Sequence, residues 1–186
     1  MKKSAILLLL SILSFNSYSQ IKFEKGYFIN NDNEKTECLI KNADWVNNPT
    51  KFEYKLDKKS KEVSIEEIKE FGIPNFVKYK RFAVDIDKST ERLDRLRYEG
   101  KPEFHKETLF LREIIEGQAS LYSYVGKGIR TYFYTIDNKK ITQLIHIKYT
   151  KDNKIKTNDT YKQQLWTDVK CETITINFSC SFTKTN

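Results

Sequence analysis

Apolar and polar residues alternate along most of the chain, and this period of two is typical of β-strands with one buried face. The alternation is clearest at 76–86, at 172–183 and in several short runs between 109 and 149. Asparagine-rich or glycine-containing turns separate the runs, for example at 30–33 and 126–128. Successive strands are therefore expected to pair as antiparallel hairpins. The pattern predicts a mainly β fold of antiparallel meanders, sandwich-like or partly closed into a barrel, with an α+β arrangement as the alternative.

Two short segments have helical rather than alternating spacing. Ser64 and Glu67 form a capping-box pattern, and apolar residues follow at helical intervals, so a short helix is predicted over 65–70. The same capping pattern begins at Thr160 and predicts a second helix near 161–170.

A polar, highly charged stretch at 87–107 interrupts the alternation. Because stretches of this length are uncommon inside compact domains, we interpret it as a polar linker or long loop between two modules. The first is an N-terminal β module at 20–86. The second is a C-terminal β meander at 108–186, which includes the helix near 161–170 and a final strand at 172–183.

The first nineteen residues have the pattern of a secretory signal peptide. Lys2 and Lys3 precede an apolar run at 5–15, and a short polar stretch then ends at Ser19. The apolar run is too short to span a bilayer, which takes roughly 20 residues. We therefore expect residues 1–19 to be removed and the mature chain to be exported to the periplasm, the cell surface or the medium, with no membrane span.

Composition and charge narrow the class of protein without naming a reaction. The chain has 186 residues, of which 39% are apolar and 31% charged, with six glycines and three prolines, which excludes collagen-like and low-complexity classes. Loss of Lys2 and Lys3 with the leader lowers the formal net charge from +8 to +6. A basic exported protein attracts anionic partners, such as an anionic glycan or lipopolysaccharide, and a surface protein is another option. The alternative, which we favour, is that the mixed lysine and acidic positions only keep a β protein soluble. Nucleic acid is not an expected partner.

Three cysteines remain after the leader, in a compartment where disulfides persist. A bridge between Cys171 and Cys180 would need a chain reversal inside the predicted final strand, because nine extended residues span about 30 Å. Two alternatives stay open: Cys38 pairs with Cys171 or Cys180, or all three remain reduced.

Several segments resemble a group of uncharacterised exported proteins of Bacteroidetes bacteria. The leader followed by 23–29 and then 39–49 is similar to the start of that group, and 116–122 and 161–171 are similar to later landmarks. The resemblance implies an exported β-rich domain of unknown activity. It also implies relatives that continue further, so this chain would be a shortened member.

Motifs for catalysis, cofactors and metals are missing from the sequence. Gly126-Lys127 lacks the flanking residues of a P-loop, and no nucleophile elbow is present. The two histidines, His105 and His146, have no neighbouring ligand pattern. We therefore predict no catalytic residue, no cofactor and no metal, although a carboxylate pair assembled by folding would leave no local trace.

Aromatic residues and lysines crowd the C-terminal meander and form a candidate binding face. The alternative, which we favour, is that the rings form core and cross-strand pairs while the lysines protect sheet edges. The candidate residues are Tyr132, Tyr134, Lys139, Lys140, Lys148 and Tyr149.

These observations favour a non-enzymatic exported module with an interaction or structural role. A binder of an apolar or anionic small molecule or glycan is the alternative. An enzyme with a carboxylate site is the third option.

Overall fold

A computed structural model of the protein describes residues 22–43, 45–137 and 139–169. The expected leader and the final strand predicted at 172–183 lie outside the described residues. The elements are β1 Phe23–Asn30, β2 Lys35–Lys41, β3 Lys51–Leu56, β4 Lys59–Ser64, β5 Ile68–Ile73, β6 Val77–Asp87, β7 Phe104–Ile115, β8 Ala119–Gly126, β9 Ile129–Ile136, β10 Thr142–Leu144, β11 Ile147–Lys151, β12 Lys154–Asn158 and α1 Thr160–Asp168.

Ten strands form one antiparallel sheet, in the order β10-β9-β8-β7-β6-β5-β1-β2-β3-β4, and β11 and β12 form a separate hairpin. The prediction of a mainly β fold of antiparallel meanders is confirmed. The large sheet is not closed. Its one departure from simple chain order places β5 beside β1, so that β1 to β4 extend the meander of β5 to β10 at one end.

The sheet curls in two directions and buries opposite faces in its two halves. Phe28 and Phe71 lie on one face, here called face 1, which forms the core of the N-terminal half. Phe52 on β3 stacks on Phe71 of β5 with ring centroids 4.1 Å apart, although two strands lie between them in the sheet. Tyr122 and Phe133 lie on the opposite face, face 2, which forms the core of the C-terminal half. Each half therefore leaves partly uncovered the face that the other half buries, although Tyr134 on face 1 of β9 is buried and donates to Asp168 of α1.

One cross-strand row shows this change of environment directly, because paired residues in neighbouring strands share a face. On face 1 the row begins with buried aromatic rings on β1, β5 and β6. It continues on β7, β8 and β9 with a charged, a small polar and an exposed aromatic residue. In order, its members are Phe28, Phe71, Tyr79, Arg112, Ser123, Tyr132 and Leu144.

The side-chain amide of Gln143 joins the first and last strands of the C-terminal half, β6 and β10. The Gln143 amide on β10 donates to the main-chain oxygen of Asp87 at 3.0 Å and accepts from its N–H at 2.7 Å, although β10 and β6 are not sheet neighbours. The same amide donates to Thr131 Oγ1 at 2.8 Å. Gln143 is buried, and these bonds satisfy its polar atoms where the sheet remains open.

Asp87 also fixes the segment between β6 and β7. Its buried carboxylate accepts hydrogen bonds from the N–H groups of Ser89 and Glu103 and from Arg97 Nη1, at 2.9, 2.6 and 2.9 Å. Burial alone would raise the pKa of Asp87, but hydrogen bonds from Ser89 and Glu103 and the charge of Arg97 hold it below its ordinary value. The predicted linker at 87–107 thus begins at the end of β6, includes a 3-10 turn at Leu93–Arg95 and ends in the first residues of β7.

The first predicted helix is wrong, and the second is confirmed. Residues 65–67 form a turn and Ile68–Ile73 is a strand, although the Ser64 N–H and hydroxyl do contact Glu67 Oε1, both at 3.1 Å. Pairing of this strand with both β1 and β6 outweighs its local helical pattern. The second helix occupies Thr160–Asp168.

Candidate functional site

A groove of about 610 Å³ lies on face 1, where β7, β8 and β9 leave that face uncovered. One wall comes from the loop before β3 and from the turn between β5 and β6, and the other comes from the three strands. The groove is lined by Trp45, Val46, Asn48, Phe76, Tyr79, Arg112, Glu113, Ile114, Ser123, Val125, Arg130 and Tyr132.

Trp45 forms the junction between the groove and the N-terminal core. Its ring contacts Phe71 and Tyr79 edge-on, with centroid distances of 5.5 and 5.7 Å. Because Tyr79 continues the row that leads to Arg112, the aromatic packing of the N-terminal half extends to the edge of the groove. Trp45 is half-buried, so part of its ring remains accessible.

Asn48 holds the loop of this wall against the sheet. β7 and β8 pair from Arg112–Ser123 toward their linking turn but separate beyond that pair. The Asn48 amide bridges the gap, because Nδ2 donates to the carbonyls of Phe110 and Ser123 at 2.8 and 3.0 Å. Its Oδ1 accepts from the N–H of Val125 at 3.0 Å, and its own N–H donates to the Val125 carbonyl at 2.7 Å.

Four large apolar side chains that line the groove are exposed to solvent. They are Val46, Phe76, Ile114 and Tyr132, which are 83%, 48%, 46% and 38% exposed. Single exposed apolar residues are ordinary on a protein surface, whereas several together around one concavity are typical of an interaction site.

Two arginines provide the positive charge of the groove. Arg112 and Arg130 are both exposed, and no carboxylate of the described residues lies within ion-pair distance of either. Arg112 acts electrostatically on Tyr79: burial raises the pKa of Tyr79, and the nearby guanidinium opposes that shift. Both guanidinium groups therefore keep their planar sets of donors for a ligand.

A second polar cluster lies on face 2, where the N-terminal half leaves that face uncovered. Glu113, whose side chain is 5% exposed, contacts Lys78 Nζ and Lys80 Nζ, each at 2.7 Å. Lys80 Nζ also lies 3.9 Å from Glu70, and Lys78 contacts Glu116 at 3.0 Å. Burial alone would lower the pKa of Lys78, but its hydrogen bonds to the two glutamates raise it above the ordinary value.

Two tyrosines complete this charged cluster. Tyr27 donates to Glu70 Oε1 at 2.6 Å, and burial together with this bond raises the pKa of Tyr27. Burial and the charge of Glu113 raise the pKa of Tyr122 to about 12. Because lysine ammonium groups neutralise the partly buried Glu70 and the buried side chain of Glu113, the arrangement is typical of a structural ion-pair network rather than of an acid–base pair.

The six sequence-predicted binding residues occupy separate environments. Tyr132 lines the groove, whereas Tyr134 is buried and donates its hydroxyl to Asp168. The Lys148 ammonium binds Glu91 at 2.7 Å, and Tyr149 is half-buried on the separate hairpin. The remaining two, Lys139 and Lys140, are exposed between β9 and β10.

Trp45, Phe76, Arg112 and Arg130 were missed as site residues by sequence reasoning. Each belongs to a different loop or strand, and only the paired strands and the Asn48 contacts bring them together. For Arg112 and Arg130, the available sequence signal is an arginine within a predicted strand beside apolar residues, and this signal is weak evidence for a binding site.

Cys38 is half-buried on β2, and burial with the nearby charge of Glu37 raises its pKa to about 11. Its proposed partners, Cys171 and Cys180, lie outside the described residues, so the bridge stays a prediction.

Comparison of the chain with protein-family models, with curated proteins and with solved structures finds no match. Among the described residues, no helix has the length and apolar character needed to cross a membrane. The same residues contain no group of three or more histidine, cysteine or carboxylate side chains placed to hold a metal ion.

Proposed function

We propose that this protein is an exported, non-enzymatic interaction module that binds an anionic partner in the face 1 groove. The proposal of export rests on the leader pattern at 1–19. The proposal of binding rests on one observation: two exposed arginines without ion-pair partners among the described residues flank a concavity rimmed by exposed apolar side chains.

The chemistry of these groups favours an anion. A guanidinium group binds carboxylates, sulfates and phosphates through two parallel hydrogen bonds, and it is more weakly hydrated than an ammonium group. The basic net charge of the chain raises the local concentration of anions around it. Exposed lysines such as Lys59 and Lys154 also carry positive charge, but the groove arginines differ from them in lining a concavity that has exposed apolar side chains beside the charges.

The test is binding of the mature chain to a panel of polyanions by calorimetry, with the double variant Arg112→Gln/Arg130→Gln. The matched control is Lys59→Gln/Lys154→Gln, which removes the same charge from exposed strand ends. The proposal expects at least one polyanion to bind, with a loss of about 100-fold in the arginine variant because each charge-assisted contact contributes roughly 1.5 kcal/mol. The control variant should lose only a fewfold. Equal losses in both variants, or no binding to any polyanion, would overturn the groove as an anion site and leave a purely structural role.

A further inference from the structure

We infer that the anionic partner is an acidic polysaccharide strand, in which carboxylates recur sparsely along a chain of sugar rings that have apolar C–H faces. This inference rests on the proposed function and specifies the ligand class of the same groove. Three observations support it: the spacing of the two arginines, the apolar surfaces beside them, and the position of the groove on a sheet face.

The arginines are separated rather than clustered. Arg112 and Tyr132 lie in one row, two strands apart, and Arg130 lies two residues along β9 from Tyr132. Strand spacing and rise place the Cα atoms of the two arginines about 12 Å apart. Two separated cations fit a ligand whose charges are also separated. A nucleic acid has a charge on every nucleotide and draws its affinity from many phosphate contacts, which two arginines do not supply.

The apolar residues provide surfaces for rings between those charges. Tyr132 and Phe76 are exposed, and Trp45 is half-buried at the edge of the groove. The C–H groups on one face of a sugar ring are apolar, so such a ring packs against an aromatic side chain while its hydroxyl groups stay in water. A positively charged group on such a sugar would not be stabilised there, because it would lie beside the two arginines.

The position of the groove disfavours an extended acidic peptide. A peptide strand is bound best at an open sheet edge, where its N–H and C=O groups find partners. The groove lies on a sheet face, and the gap between β7 and β8 is already occupied by the Asn48 amide, which uses the carbonyls of Phe110 and Ser123. A peptide would thus find few main-chain partners, whereas a polysaccharide needs none.

The experiment measures binding to four probes of similar length: a hyaluronate oligosaccharide, in which every second sugar carries a carboxylate, its carboxyl-reduced neutral form, a single-stranded oligonucleotide and a polyglutamate peptide. Trp45 serves as the reporter in a Trp166→Phe background, because Trp166 is 74% exposed on α1 and does not line the groove. Titrations are made with the parent and with Tyr132→Phe and Tyr132→Ala.

The inference expects the acidic oligosaccharide to change Trp45 fluorescence and to bind at least tenfold more tightly than the other three probes. Tyr132→Phe should bind like the parent and Tyr132→Ala roughly tenfold more weakly, which separates ring packing from charge. Tighter binding of the oligonucleotide or of polyglutamate, with loss in the double arginine variant, would overturn the ligand class while supporting the anion groove. Equal binding of the neutral form would overturn the role of the carboxylates. No groove-dependent binding of any anion would overturn both proposals.

Discussion

Replacement of Asn48 by alanine should destabilise the whole fold, although the residue lies in a loop. Its side chain makes three hydrogen bonds that join the loop to β7 and β8, at 2.8, 3.0 and 3.0 Å. The main-chain bond to Val125 would survive in the variant. Because each lost bond costs about 1 kcal/mol, and because the strand groups left in the gap lose their partner, the expected cost is about 3 kcal/mol.

The assay is urea unfolding followed by far-ultraviolet circular dichroism, with Asn47→Ala as the matched control. Asn47 is an exposed neighbour, so its replacement should change the free energy of unfolding by less than about 0.5 kcal/mol. For a chain of this size, about 3 kcal/mol corresponds to a fall of roughly 6–12 °C in Tm.

A second variant separates hydrogen bonding from packing. Asn48→Asp keeps the acceptor for Val125 but removes both donors and places a negative charge beside the carbonyls of Phe110 and Ser123. It should therefore be at least as unstable as the alanine variant at neutral pH. A loss below about 1 kcal/mol in Asn48→Ala, with an unchanged denaturant slope, would show that water replaces the amide and would refute the reasoning.

Three other predictions concern buried or partly buried ionisable groups. Glu113→Gln should lower the free energy of unfolding by about 2 kcal/mol, because two partly buried lysines lose their shared counter-charge. The control Glu62→Gln, in an exposed ion pair, should lower it by less than about 0.5 kcal/mol. Urea midpoints that fall equally in the two variants would contradict this prediction. Asp87→Asn should cost about 2–3 kcal/mol at pH 7. Folding lowers the pKa of Asp87, so the carboxylate's contribution to the free energy of unfolding is complete above the ordinary value of 3.8 and is lost as the pH falls through the folded value. The urea midpoints of the wild type and the variant should therefore converge at acid pH. A constant difference between them down to about pH 2 would contradict this prediction. If Cys38 is reduced in the purified protein, its pKa of about 11 means that only about one thiol in a thousand is ionised at pH 8. The rate of alkylation by iodoacetamide should therefore be low at pH 8 and should rise roughly tenfold per pH unit up to that pKa. A fast reaction at pH 8 would contradict the burial of this thiol.

The period-two pattern predicted strands that have a buried face, such as β1 and β8, but it did not predict β4 or β12, whose residues are mostly exposed. The alternation at 76–86 predicted a strand, and β6 has Val77 and Tyr79 in the core on face 1 but Val84 and Ile86 in the core on face 2. A single strand thus serves two cores, which local alternation does not reveal. The helix predicted over 65–70 failed for a related reason: its capping pattern is real, but the pairing of Ile68–Ile73 between two strands decides the outcome.

The groove was harder to predict than the fold. Of the predicted binding residues only Tyr132 lines it, because membership depends on which face each half of the sheet buries. Alternation indicates that Arg112 and Arg130 lie on opposite faces from Leu111 and Ile129, but it does not say which face is covered. The hydrogen bonds of Asn48 depend on a gap between β7 and β8, and the amino-acid composition of these strands does not indicate that gap.

The longest strands, β6 and β7, stand at the centre of the sheet and contribute a wall to each hydrophobic core. Because both cores depend on this shared hairpin, we expect that neither half of the molecule folds without it. A fragment ending before β6 would leave Phe71 without Tyr79 and Phe110, and a fragment beginning after β7 would leave Tyr122 without Leu109 and Leu111. Amide protons throughout both cores should accordingly exchange with solvent through one common opening event, and splitting the chain at 87–107 should yield two pieces that regain structure only when mixed.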